Sequence, residues 1–441
     1  MAYAKDGYPT ELANKVGHIK LIQDPMIQRM IEAFEDHREP ADEVVPAPTG
    51  TVAMDGECPI EQVITVDGGN QAVPNVARPE RQVGFVQVAA QMVRIETIDE
   101  LRAHPMTDPR QVRPILGRFT HHTLAALPLT GVHIAGLTVR QSIREAVHRY
   151  LSHYELYEAL AYLVYCQWQT ELHEPPSMNC LRCGDTFALP RHALRFRCPE
   201  CAEEHVLSDY LGLVDQDAEE RSSSETVSNL RSVLEALVLF SFIIRFRDRP
   251  AIMDRTLFLL DGPLTLRAQL GRLVQPIRAL ICDQRDKGQR LFLVGVEKTG
   301  ELRAFADTSR TGLANLGDYF LPSTQYVLEE IYGRTFNQQT YRNRVNYGAK
   351  AIVRVGKDHM MALNVPTGDF VLSPTPQDLI GFAETVRVLS RLVSYSHDNA
   401  LIPIVLANAE ASISNQPSGG LLAQFVERIL AGDDRFTGGP R

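Results

Sequence analysis

Four cysteines constrain this chain more than any other feature. Cys180 and Cys183 bracket Leu181-Arg182, Cys198 and Cys201 bracket Pro199-Glu200, and 14 residues separate the pairs. Two residues between sulfurs allow a tight knuckle to turn both thiolates toward one ion. Two knuckles then close the tetrahedral four-sulfur site that Zn2+ prefers. The 14-residue gap still accommodates a small two-stranded ribbon, so the spacing predicts a zinc module over roughly 174–210. Four sulfurs leave no open coordination position, which makes this zinc structural and sends the search for chemistry elsewhere. The competing reading, a pair of disulfides, needs an oxidising compartment. Cys58, Cys166 and Cys282 show no pairing pattern, and MAYAKDGYPTELANK at the N-terminus has no apolar signal core. The longest apolar run, Leu237 to Ile244, is far too short to span a bilayer. The expectation is a cytoplasmic protein without a membrane segment.

With 441 residues and 44% hydrophobic content, the chain can fill one large core or two to three modest ones. Residues 1–48 read as a helix, Pro25 to Asp36, and an acid- and Pro-rich linker, Glu39 to Pro48. Short β-type runs follow at Thr51 to Met54, Val63 to Val66 and Gly84 to Arg94. From Val139 to Thr170 apolar residues recur near the helical period. An acidic, Ser-rich joint, Asp215 to Ser224, leads into an apolar helix, Thr226 to Phe246. Thr256 to Leu260 is apolar without alternation, as a buried central strand should be. Leu291 to Val296 and Leu302 to Ala306 flank Lys298-Thr299-Gly300 as a candidate hairpin, and Ala351 to Val355 with Met360 to Val365 is another. Helices are expected near 376–394 and 420–431, and Gly432 to Arg441 reads as a frayed tail. Strands on both sides of a helical block predict one α/β domain interrupted by an insertion. Its parts are residues 1–48, a first core half at 49–133, a helical insertion with the ribbon at 134–224, and a second core half at 225–441.

Two apolar runs end in the same dipeptide: Val63 to Val66 in Asp67-Gly68-Gly69, and Thr256 to Leu260 in Asp261-Gly262. A carboxylate at the end of a buried strand is rigidly held at a cleft, and the glycine lets the backbone turn and a phosphate approach. Adjacent carboxylates of this kind hold Mg2+ or Mn2+, which take oxygen ligands. Asp-Gly is also a common turn dipeptide. Asp55-Gly56 shows how cheaply it arises, and Asp55 is the alternative to Asp67. Glu235 sits within an apolar helix among Val227, Leu230, Val233, Leu234, Leu237 and Val238; it either reaches solvent or is paired or metal-bound. Glu410 is the only charge between Asp398 and Glu427. Lys298 stands at a strand end, either orienting a phosphate or filling a turn.

The net charge of −9 argues against a uniform nucleic-acid coat but permits a local basic groove. Gly333 to Lys357 contains no acid and carries Arg334, Arg342, Arg344, Lys350, Arg354 and Lys357, interleaved with Phe336, Tyr341 and Tyr347. That pattern fits a phosphate-neutralising, base-stacking groove or a solvated basic face. The ribbon adds Arg182, Arg191, His192, Arg195 and Arg197. No P-loop, dinucleotide glycine fingerprint, His-Glu-x-x-His or Gly-x-Ser-x-Gly elbow is present, which excludes the commonest ATPase and serine-hydrolase signatures.

The order of these segments resembles the NurA nuclease family over about residues 50–415. Asp67-Gly68-Gly69 is similar to the family's first aspartate motif, Glu235 to its helical glutamate, and Leu259-Leu260-Asp261-Gly262-Pro263-Leu264 to its second aspartate motif. Leu293 to Lys298 resembles the strand that follows, and Ile402 to Glu410 resembles its Tyr-Pro…Leu…Ala-His segment. Here Ile402 stands at the tyrosine position and Glu410 at the histidine position, with Tyr395 and His397 nearby as substitutes. The resemblance implies an RNase H-like mixed-sheet core that cuts DNA with two Mn2+ or Mg2+ ions held by Asp67, Glu235, Asp261 and Glu410. It also implies a homodimer working beside a HerA-type hexameric ATPase in DNA repair or antiviral defence. The competing functional class is a non-catalytic zinc-ribbon adaptor or motor-capping subunit.

Overall fold

The computed structural model describes residues 24–32, 46–76, 78–103, 120–169, 175–214, 222–336, 344–394, 400–413 and 419–430. Met1–Val45 and Pro46–Arg441 separate into two units. In the first, Pro25–Glu32 forms helix α1; the expected continuation to Asp36 lies outside the described residues, as does most of the expected linker, the Ser-rich joint and the tail.

The second unit is built on a nine-stranded sheet. Its strands are β1 (Gly50–Thr51), β2 (Gln62–Pro74), β3 (Gln82–Arg94), β4 (Thr120–Pro128), β9 (Thr256–Asp261), β10 (Phe292–Glu297), β11 (Asp318–Phe320), β12 (Ala349–Gly356) and β13 (His359–Val365), in the order β1-β11-β12-β13-β10-β9-β2-β3-β4. Four short strands, β5 (Ser177–Asn179), β6 (Thr186–Ala188), β7 (Arg195–Arg197) and β8 (Glu204–Val206), form two separate hairpins. In the main sheet β9 runs parallel to both β2 and β10, and the other pairings are antiparallel. The β2-β3-β4 meander with β9 and β10 added parallel beside β2 is the order and orientation of an RNase H-like core, as expected from the sequence. A parallel strand requires a crossover, and the helical block and hairpins between β4 and β9 occupy it.

Helices cover both faces: α2 (Ile95–Ala103), α3 (Val139–His153), α4 (Leu156–Val164), α5 (Ser223–Phe246), α6 (Val274–Asp286), α7 (Glu301–Thr308), α8 (Phe382–Leu392), α9 (Ile402–Ala411) and α10 (Gly419–Leu430). The alternation concealed in β9 now resolves. Phe258 and Leu260 enter the core beneath α5, while Leu257 and Leu259 enter the core beneath α8 and α9. A strand buried on both faces is apolar at every position. Helix α5 is capped by Ser222, whose Oγ accepts the Glu225 N–H at 3.2 Å. It is long and apolar enough to cross a membrane, but most of it is buried against the sheet as a core helix.

Two expectations are corrected. Asp67-Gly68-Gly69 is not a turn: β2 continues to Pro74, paired residue by residue with β3. Leu302 to Ala306 is not a strand but helix α7, entered through Gly300 at φ +93°. Leu302 and Ala306, four apart, share one helix face and are buried there with Ile352 and Met360, a spacing that a five-residue apolar run cannot distinguish from a strand. Thr51 to Met54 is strand only at Gly50–Thr51, and Asp55 lies in an exposed turn.

Strand β4 ends the sheet, and an open edge invites pairing with other chains. Helix α3 and the residue after it close part of this edge: the Tyr150 hydroxyl accepts the Ala126 N–H and the Tyr154 hydroxyl accepts the Leu124 N–H, both at 3.0 Å. Replacing both tyrosines by phenylalanine leaves two edge donors unpaired. It should lower the unfolding free energy by roughly 1–3 kcal/mol and increase aggregation on heating, as read by denaturant titration and light scattering.

Candidate functional site

The parallel register of β2 and β9 pairs Val66 with Leu260, so Asp67 and Asp261 follow at the next level on adjacent strands, which lie about 4.8 Å apart. Alternation turns both toward the α9 face. Gly68 faces the other way, toward α5. A Cβ there would stand 2.5 Å from Glu235 Oε1, and a Cβ on Gly69 would stand 2.3 Å from the Ala411 carbonyl of α9. The two glycines are therefore required by helices approaching from opposite faces, and the missing side chain at Gly68 leaves room for the Glu235 carboxyl against the β2 backbone.

Asp67 and Glu235 are almost fully buried, 6% and 8% exposed. Asp67 Oδ1 accepts the Gly68 N–H at 2.7 Å, while its Oδ2 is buried and receives no hydrogen bond. Burial, then the adjacent Asp261 carboxylate, push Asp67 up to about 7, against the pull of Lys298 and the Gly68 N–H. Burial likewise raises Glu235 to about 8; Arg231 opposes this, and Asp67 and Asp261 add to it. An orphaned buried carboxylate oxygen beside a second carboxylate, with an all-oxygen donor set, fits a hard divalent cation. Lys298 Nζ lies 2.6 Å from Asp261 Oδ2, and Arg231 Nε 3.5 Å from Glu235 Oε1.

A cleft of about 1000 Å3 opens above this floor. Asp67, Asp261, Lys298, Glu297, Arg231 and Arg334 line it, with Arg267, Tyr332, Lys350 and Asn408. Arg231, Arg267, Tyr332 and Asn408 carry no signal in the sequence pattern; only helical spacing from Glu235 points to Arg231. Glu410, Tyr347 and Arg344 lie elsewhere. Glu410 is not part of the lining: its Oε2 lies 3.7 Å from His122 Nε2 on β4, and Asn408 of the same helix reaches the cleft instead. Tyr347 is 2% exposed and packs edge-on against Phe240, so it is a core residue rather than a stacking platform. Lys350 donates to Glu297 and, at 2.8 Å, to Asn364 Oδ1. Arg344 is exposed and outside the lining. Tyr341, Arg342, Tyr395 and His397 lie outside the described residues.

The four cysteines converge as their spacing predicts. Among the described residues they are the only group of three or more His, Cys, Asp or Glu whose ligand atoms all lie within 4.8 Å of one another. Each knuckle follows a three-residue strand and repeats the same bonds. Cys180 N–H donates to the Asp185 carbonyl at 2.8 Å and Cys198 N–H to the Glu203 carbonyl at 2.9 Å, while Gly184 and Ala202 donate back at 3.0 Å. Gly184 and Ala202 both take positive φ to make the return. Burial alone would raise the Cys180 thiol, but the N–H groups of Cys183 and Arg182 together with His205 bring it down to about 6, which favours the thiolate that a metal needs. His205 Nε2 lies 3.4 Å from Cys180 Sγ, its Nδ1 3.2 Å from Asp209 Oδ2, and Arg144 of α3 holds Asp209 at 2.7 Å. This outer layer orients the sulfur and fastens the ribbon to α3.

No protein-family model matches the chain, and no curated protein does. Among solved structures the chain is similar to the NurA nuclease from Sulfolobus solfataricus, at 12% identity and TM-score 0.33, covering 88% of each chain. A second NurA structure matches at 12% identity and TM-score 0.29 over 94% of this chain and 98% of that one. A third, of NurA bound to dAMP and manganese, matches at 10% and 0.26 over 93% of each. These likenesses are remote, and the functional reading rests on the site itself.

The raised carboxyls set a pH dependence. Between about pH 4, where free carboxyls titrate, and about pH 8, the folded metal-free protein holds protons on Asp67 and Glu235 that the unfolded chain has released. Stability should therefore fall as pH rises through this window. Thermal melts of metal-free protein should show that decline, Asp67→Asn should flatten part of it, and saturating Mn2+ should offset it. A melting temperature that rises steadily from pH 5 to pH 8 contradicts the assignment.

Proposed function

We propose that this chain is a divalent-metal-dependent DNA nuclease. The observation that carries the reading is the side-by-side placement of Asp67 and Asp261 at the same level of two parallel strands. Glu235 packs against Gly68 behind β2, and basic side chains line the cleft. Asp67, Asp261 and Glu235 would hold Mg2+ or Mn2+. Bound there, the ions supply a water of lowered pKa and neutralise charge on the reacting phosphate. Arg231, Arg267 and Arg334 attract the backbone phosphates, and Lys298 contacts the one nearest the carboxylates. The zinc at Cys180, Cys183, Cys198 and Cys201 is structural. The resemblance of the segments around Asp67, Glu235 and Asp261 to the NurA family supports DNA as substrate, a HerA-type hexameric ATPase as partner, a homodimer and a cytoplasmic site of action.

One observation favours a second reading. Glu410 faces His122 instead of the cleft, as it would in a zinc-ribbon adaptor whose nuclease core has lost its fourth ligand. Calorimetric titration separates the two, because an adaptor has no Mn2+ site that depends on Asp67 and Asp261.

Purified protein incubated with labelled DNA should cleave it only with Mn2+ or Mg2+, and Asp261→Asn should reduce the rate by roughly two orders of magnitude or more while remaining folded. Normal cleavage by that variant ends the nuclease reading. DNA binding should weaken steeply as salt rises. Cys198→Ser should lose zinc and unfold the ribbon.

A further inference from the structure

The carboxylate floor already carries two cations. Lys298 sits just past the end of β10 on a flexible stem, with its side chain 28% exposed and its ammonium on Asp261 Oδ2. Arg231 faces Glu235 at 3.5 Å and its Nη1 donates to the Gly68 carbonyl at 3.5 Å, while its buried Nε has no hydrogen-bond acceptor. Lys350, on the same cleft wall, is different. Its side chain is only 10% exposed, and its ammonium is enclosed by Glu297 and Asn364, which also bond each other at 2.7 Å. That triad is more enclosed than the Lys298–Asp261 pair.

We infer, resting on the nuclease reading, that Lys298 and Arg231 are resident counter-ions occupying the charge positions of the divalent cations, and that metal arrival releases them to grip the substrate phosphate. A carboxylate that stays ionised in a partly buried floor is stabilised by a nearby cation whether or not metal is present. A divalent ion attracts the same carboxylates about twice as strongly at equal distance, so it can displace an ammonium. The displaced ammonium remains within the cleft, where the nearest new anion is the phosphate being cut. Two consequences follow. Lys298 competes with metal in the absence of DNA. DNA, by capturing Lys298, raises metal affinity, and metal raises DNA affinity by the same factor.

The test is Mn2+ titration of the full zinc-loaded chain by calorimetry, with and without a phosphorothioate oligonucleotide that resists cleavage. Lys298→Met should bind Mn2+ roughly fivefold tighter than wild type or more, and the oligonucleotide should no longer enhance its affinity. Lys298→Arg should retain the wild-type values, and Arg231→Met should shift in the same direction as Lys298→Met. Zinc content and circular dichroism show that each variant is folded. Equal or weaker Mn2+ binding by folded Lys298→Met overturns the inference and makes Lys298 a positioning residue for Asp261. Absence of any Mn2+ site in wild type and variants alike overturns the nuclease reading as well. Binding confined to the methionine variants supports the competition.

Discussion

The structure depends on one electrostatic conflict: the parallel pairing of β2 with β9 sets two carboxyl groups one strand-spacing apart, the buried Asp67 and the cleft-lining Asp261. Pairing of Val63 to Val66 with Leu257 to Leu260 imposes that arrangement, because their side chains interdigitate in two close-packed cores and a one-residue slip would misfit both. The charge must then be compensated locally. Gly68 admits Glu235, Glu235 brings Arg231 along the same helix face, and the end of β10 delivers Lys298. Such a conflict lowers the stability of the fold wherever neither a cation nor a proton offsets it.

The ribbon solves a different problem. Its three-residue strands are too short to hold a hairpin in water, and its order comes from the four-sulfur centre together with the chain of contacts from Cys180 through His205 and Asp209 to Arg144. A second link, in which Arg195 meets His148 Nε2 at 2.8 Å, ties the other hairpin to α3. The ribbon's charges are largely consumed in such contacts, with Arg182 near Glu203 and Arg197 on Glu204. Its composition alone had suggested a more available basic surface.

Much was legible before any coordinates. Both knuckles, the buried strand at Thr256 to Leu260, the core helix around Glu235 and the β12–β13 hairpin follow from local pattern, because spacing, two-sided burial and helical periodicity are properties of a few neighbouring residues. What escaped was long-range. Gly68 and Gly69 looked like a turn, since an Asp-Gly-Gly string does not reveal that helices will press on it from both sides. Leu302 to Ala306 was too short for its period to be read. Tyr347 carried an aromatic ring in a basic segment, and only its burial against Phe240 shows that the ring belongs to the core. Glu410 and Asn408 differ by two positions, about 200° around a helix, so which of them meets the cleft depends on how α9 is seated.

By itself the amino-acid sequence determined the chemistry on offer: four thiolates at metal spacing, carboxylates following apolar strands, and an acid-free basic segment. These are covalent and local facts, present in any conformation. The tertiary structure decided which of those groups share a site. It set Asp67 beside Asp261 on neighbouring strands, packed Glu235 behind Gly68, brought Lys298 to Asp261 and Arg231 to Glu235, sent Glu410 to His122 and withdrew Tyr347 into the core. Strand register and helix rotation made those choices, and both are set by the packing of two hydrophobic cores whose residues come from nearly the whole length of the chain.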